Sequence, residues 1–138
     1  MAGTDVVRAV ERSGQASSQY LAGQLARLSI STAEAHVLLH LRADRASSIG
    51  EVQRLFPRRS STMTSVIDRL ENKGLVDREL DPSDHRTFQL VLTAAGRVAA
   101  GKVIKIMTDF EVAIRSQVSE ADLVGFFAVA SAVDNASK

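Results

Sequence analysis

The residues best suited to do chemistry in this 138-residue chain lie together between Ser60 and Leu92. Ser60, Ser61, Thr62, Thr64 and Ser65 crowd hydroxyls into one short run, with Asp68 and Arg69 just beyond it. Hydroxyls donate and accept hydrogen bonds without bulk, whereas a face that is merely solvated usually carries Glu, Lys and Gln, which are better helix formers than Ser and Thr. Asp84, His85 and Arg86 form a second polar group downstream, and Arg54, Arg58 and Arg59 cluster just upstream. Such groups suit hydrogen bonding and ion pairing to a polar partner. The plainer alternative is an amphipathic helix beside an ordinary hairpin. Bond-making chemistry is not expected: no nucleophile, base and orienting acid fall in register, and the serines cluster at helix starts, where capping explains them. No glycine loop is built to cradle phosphate, since Gly74 and Gly96 mark a helix end and a helix start. No enzyme is expected.

His36 and His40 are the other candidates. At i, i+4 they could chelate a metal such as zinc, but no third histidine is near in sequence, so a packed or hydrogen-bonded pair competes with that reading. Leu39 lies between them on the same side of its helix. That apolar neighbour suggests this side meets a second surface, either a partner subunit or a ligand cavity.

The elements that must position these groups follow from periodicity and capping signals. Ser60 is a plausible N-cap for a helix to about Lys73, with Met63, Val66, Ile67 and Leu70 at the i, i+3, i+4, i+7 spacing of one apolar face. Gly74 suits the left-handed residue that ends a helix, and Lys73 complements the helix dipole there. Val76, Arg78 and Leu80 then alternate with Asp77 and Glu79. After a turn at residues 81–85, Phe88, Leu90 and Leu92 alternate with Gln89 and Val91, which predicts a hairpin. Upstream, a helical pattern runs from about Thr4 to Leu28 with a small, weakly apolar middle at residues 13–18. There the helix either approaches another backbone closely or becomes irregular. Ser31 and Glu34 fit a capping box for a second helix to about Arg42, with Ala33, Val37, Leu38 and Leu41 as its core stripe. Residues 42–47 read as a polar connection. Ser48 and Glu51 repeat the capping spacing and open a short helix to about Phe56, which Pro57 ends. Thr93 caps a long helix to about Gln117. Ser119 and Asp122 open a last one with Leu123, Phe126, Phe127, Ala130 and Val133 as its stripe. These C-terminal helices carry more apolar surface than a domain this small can bury alone, which points to burial between subunits.

Length predicts one domain. The chain has no cysteine, which excludes a disulfide framework, thiolate zinc sites and thiol redox sensing. No apolar run approaches the roughly 20 residues of a membrane span, and residues 1–5 lack the basic and apolar regions of a signal peptide. A cytoplasmic protein without cofactor or membrane association is the expectation. The formal net charge of +1 permits nucleic-acid binding without requiring it.

Asp68-Arg69-Leu70-Glu71, Lys73-Gly74-Leu75-Val76, Arg78, Pro82, Asp84, Arg86, Leu92-Thr93 and Gly96-Arg97 form an ordered set that resembles the core of the MarR family of winged helix-turn-helix regulators. The resemblance implies a mainly α fold with a small β-hairpin wing, in one domain over 1–138. Dimerisation helices at about 4–30 and 94–135 would flank a winged-helix DNA-binding lobe at about 32–92. It implies a homodimer on double-stranded DNA with a pseudo-palindromic operator, acting as a repressor released by a small, often aromatic, ligand. The helix from Ser60 to Lys73 would be the recognition helix. Ser60, Ser61, Thr62, Thr64 and Ser65 would reach base edges or phosphates, Arg58, Arg59 and Arg69 would hold phosphates, and Arg86, held by Asp84, would be the wing arginine. His85 stands where many family members carry a second basic residue, so this wing would grip phosphate less strongly. Tyr20, His36 and His40 are the candidate ligand-lining residues. Two alternatives remain: a winged-helix module that binds protein rather than DNA, and a metal-responsive regulator using His36 and His40.

Overall fold

The computed structural model describes residues 3–56 and 60–138, with the side chains of residues 60–63 outside that description. The elements in order are α1 (Asp5–Ala26), α2 (Thr32–Asp44), β1 (Ala46–Ser48), α3 (Ile49–Gln53), α4 (Ser60–Asn72), β2 (Val76–Asp81), β3 (Asp84–Leu92), α5 (Ala94–Arg115) and α6 (Glu120–Ala136). The chain divides into two compact units, Met1–Ile106 and Met107–Lys138, with α5 running from the first into the second.

The first unit holds the core. Val37, Leu38 and Leu41 of α2 pack with Val52 of α3, Val66, Ile67 and Leu70 of α4, Val76 and Leu90 of the strands, and Ala100 and Val103 of α5. The stripe expected on α4 is therefore buried at Val66, Ile67 and Leu70. The structure assigns Ser60 to the helix itself instead of the position before it. The expectations on Pro57 and on the Met63 side chain lie outside the described residues.

Local signals account for several helix ends. The Ser31 hydroxyl accepts from the Glu34 N–H at 3.1 Å while Glu34 accepts from the Ser31 N–H at 3.0 Å, a complete capping box. Ser119 and Asp122 do the same for α6, and the Ser48 hydroxyl accepts from the Glu51 N–H. At the end of α4, Gly74 has φ +71°. The Leu75 N–H donates to the Leu70 carbonyl and the Gly74 N–H to the Glu71 carbonyl, which is the paired closure of a helix ending on a left-handed residue. The same pattern ends α1, except that the left-handed residue is Ser29, with φ +55°.

Three expectations need correction. The wing is not a bare hairpin: β1, within the stretch read as a polar connection, pairs antiparallel with β3, giving a three-stranded sheet of order β1-β3-β2. A strand of three small residues is too short to show an alternation, and its signal is tertiary: Ser47 is buried against His40. The turn is tighter than residues 81–85, because Asp81 pairs with Asp84 across Pro82-Ser83 and His85 already belongs to β3. Asp81 Oδ1 accepts from both the Ser83 N–H (2.8 Å) and its hydroxyl (2.7 Å), while Pro82 presets its φ, so local bonds close the turn early. Finally, α1 is one uninterrupted helix through residues 13–18, and a Cβ on Gly14 would meet nothing within 4 Å. The irregular option is gone, and no close backbone approach at Gly14 is seen among the described residues.

In the second unit, Val112, Val124, Phe126, Phe127 and Val133 are all exposed, and α6 has no buried residue. In the first unit, Val6, Val7 and Tyr20 of α1 are exposed as well, and Leu25 is the buried residue of that helix. No helix among the described residues is long and apolar enough to cross a membrane.

Candidate nucleic-acid interface

The polar face of α4 stands clear of the core. Thr64, Ser65, Asp68 and Arg69 are exposed, on the side opposite Val66, Ile67 and Leu70. Arg69 donates to the Ser65 hydroxyl at 3.3 Å along the helix, so it is oriented by a hydroxyl rather than by Asp68 or Glu71. Those two carboxylates hold Arg78 of β2 instead: Arg78 Nε lies 2.7 Å from Glu71 Oε1, and a terminal nitrogen lies 3.5 Å from Asp68 Oδ1. One guanidinium thus ties the wing to α4. Sequence reading quoted all three residues but missed this role, because a helix–strand ion pair has no local spacing rule. Arg78→Ala should lower stability by about 1 kcal/mol in low salt and less in high salt, since the pair is partly solvated and screened. Urea titrations at two ionic strengths would measure this.

The wing tip is built from short-range bonds. The Arg86 N–H donates to Asp84 Oδ1 at 3.1 Å and Arg86 Nε lies 3.4 Å from the same oxygen. Asp84 therefore braces Arg86 as expected, while the Arg86 side chain remains 93% exposed. His85 is exposed beside it. Asp81 titrates below the usual carboxylate range, first because of the Ser83 hydroxyl bond and then the Ser83 N–H. The turn beneath the arginine thus keeps its anion and its shape at neutral pH. The apolar face of the hairpin runs out to the tip as well: Leu80 and Phe88 pair directly across the strands, and both are about half exposed.

Arg58 and Arg59 lie outside the described residues, and for Ser60, Ser61 and Thr62 only helix membership is described. The structure thus brings together Thr64, Ser65 and Arg69 on one helix face, and Asp84, His85 and Arg86 on one wing.

His36 and His40 each meet a neighbour within the chain. His40 Nε2 is hydrogen-bonded to the buried Ser47 hydroxyl at 2.8 Å and lies 3.5 Å from Asp44. The His36 ring stacks obliquely on Phe56, with centroids 6.1 Å apart. This side of α2 thus meets Ser47 of β1 and Phe56 after α3, while His36 remains exposed. Among the described residues, no group of three His, Cys, Asp or Glu side chains is arranged to hold a metal ion. A pocket of about 370 Å³ lies elsewhere in the first unit, between the α1–α2 connection, Lys73 and Leu75, and the start of α5.

Comparison with known proteins agrees with this geometry. The model of the MarR family matches residues 30–88, the stretch from the turn before α2 into β3. The HTH-type transcriptional regulator BilQ of Clostridioides difficile is 27% identical over 85 residues, covering 62% of this chain. That match spans only 57% of BilQ's own length. A mutant MarR from E. coli, crystallised with operator DNA, superposes with a TM-score of 0.79 at 21% identity, covering 93% of this chain and 92% of that one. MepR, a transcription regulator of the Staphylococcus aureus multidrug efflux pump MepA, superposes with a TM-score of 0.75 at 19% identity over the full length of both chains. With its three-stranded wing and its exposed hydroxyl face on α4, the chain has the fold of these MarR and MepR structures, and its residues 30–88 are similar to the MarR family.

Proposed function

We propose that this chain binds double-stranded DNA as a two-fold dimer, with α4 in the major groove and Arg86 of the wing in the adjacent minor groove. On this reading it represses genes near a pseudo-palindromic operator and is released by a small, often aromatic, ligand. The observation that carries the reading is Arg86, braced through its backbone and side chain by Asp84 yet 93% exposed. A guanidinium held out into solvent by a local brace suits the negative potential of a narrow minor groove. The small side chains of Thr64 and Ser65 allow α4 to approach base edges closely. Dimerisation through α1, α5 and α6 would cover apolar side chains that the chain leaves exposed, Val6, Val7, Phe126 and Phe127 among them.

The test is fluorescence anisotropy on a duplex from upstream of the protein's own gene, for wild type and Arg86→Ala at two salt concentrations. Wild type should bind tightly and weaken steeply with salt. Arg86→Ala should bind about tenfold more weakly, the loss of one good groove contact. Equal binding by both proteins, or salt-independent binding, would overturn the reading in favour of a protein-binding winged helix. A thermal-shift screen of aromatic acids then tests release; no shift with any compound would remove that part.

A further inference from the structure

A lysine at the end of α4 joins three elements that are far apart in sequence. Lys73 Nζ lies 2.6 Å from the carbonyl oxygen of Ser29, at the end of α1, and 2.6 Å from Glu34 Oε2, in the first turn of α2. Glu34 is only 3% exposed, and its other oxygen already accepts from the Ser31 N–H. Ser29 sits in the left-handed region, an unfavourable place for a residue with a Cβ. This turn closes α1 and presents the Ser29 carbonyl to the ammonium. A buried ion pair is a poor source of net stability but an effective way to select one geometry among several, because any slip leaves a charge unpaired.

The site of this clamp gives it leverage. The 13 residues of α4 make a rod about 20 Å long, with Lys73 just past one end and the hydroxyl-rich residues towards the other. A tilt of the rod by about 10° about its Lys73 end would move the far tip by about 3.5 Å, close to the ~3.4 Å rise of one base step. We infer that Glu34 and Lys73 are positioning residues that set α4 against α1, and thereby set the separation of the two recognition helices in the dimer. They would act on half-site spacing without touching DNA. The inference rests on the DNA-binding reading above.

Half-site spacing is the readout, since a merely structural role would not alter it. A duplex selected by wild type from a random pool is compared with versions carrying one or two extra base pairs between the half-sites, and with a single half-site. Glu34→Gln preserves the α2 cap, because glutamine serves in a capping box, but it loses the anion facing Lys73. Lys73→Met removes the cation, and Lys73→Arg restores it. Wild type and Lys73→Arg should prefer the selected spacing by about tenfold or more, whereas Glu34→Gln and Lys73→Met should discriminate less than about threefold with half-site affinity unchanged. Full discrimination in both variants, or parallel losses on all duplexes, would overturn the positioning role. Wild type selecting no duplex at all would instead overturn the DNA-binding reading, and the inference with it.

Discussion

Gly96→Ala is expected to lower the free energy of unfolding by about 3 kcal/mol, the upper end of what forced overpacking costs. The reason is a backbone collision. A Cβ at position 96 would lie 1.9 Å from the Leu75 carbonyl oxygen and 2.9 Å from its carbon, with Leu92 Cδ2 at 3.2 Å. Leu75 cannot retreat easily, because its own N–H closes α4 on the Leu70 carbonyl and its carbonyl accepts from the Thr93 N–H at 3.1 Å. The Thr93 hydroxyl adds two further ties, donating to the Gly74 carbonyl at 2.6 Å and accepting from the Gly96 N–H at 2.9 Å. Any relief must lift the start of α5 off the turn after α4 and break those bonds. Urea unfolding followed by circular dichroism gives the difference directly; a loss below about 1 kcal/mol would mean that α5 docks more loosely than this geometry requires.

Lys73→Met should cost about 2–3 kcal/mol at neutral pH, because it leaves the Glu34 carboxylate buried without its cation. Lys73 is itself partly exposed, so the value belongs below the full penalty for a deeply buried pair. The pH dependence identifies the cause. Burial alone pushes the Glu34 carboxyl up, but the bond from Lys73, the bonds from Ser31 and the Lys73 charge outweigh it, and the net shift is downward. A carboxylate whose folded pKa is depressed adds stability above its unfolded pKa and loses it as pH falls through the folded value. In Lys73→Met the upward push of burial stands with less opposition, so protonation relieves the penalty. The gap between wild type and variant should therefore be widest at neutral pH and close as pH drops through the ordinary glutamate range and on below it, through the depressed folded value. In Glu34→Gln the stability should lack this acid limb. Thermal melts of the three proteins across that range separate the ion pair from a packing defect, which would give a gap independent of pH.

The sequence by itself determined the elements whose causes are local. The capping pairs Ser31–Glu34 and Ser119–Asp122, the left-handed Gly74, the apolar stripe through Val66, Ile67 and Leu70, and the Asp84 brace on Arg86 all act over a few residues. Spacing and residue type suffice to find them. Tertiary structure alone decided what depends on distant partners. Residues 46–48 form a strand only because β3 lies beside them, and the turn at Pro82-Ser83 tightened around bonds that five loop-forming residues do not announce. The two histidines on α2 are drawn to Ser47 and Phe56, so their spacing on the helix says little about what they do. Glu34 carries the same division in one side chain. One oxygen caps its own helix, as the Ser-x-x-Glu spacing predicts, while the other meets Lys73 39 residues away. No periodicity encodes that second bond, because it exists only once α2 and α4 have buried their apolar faces against each other.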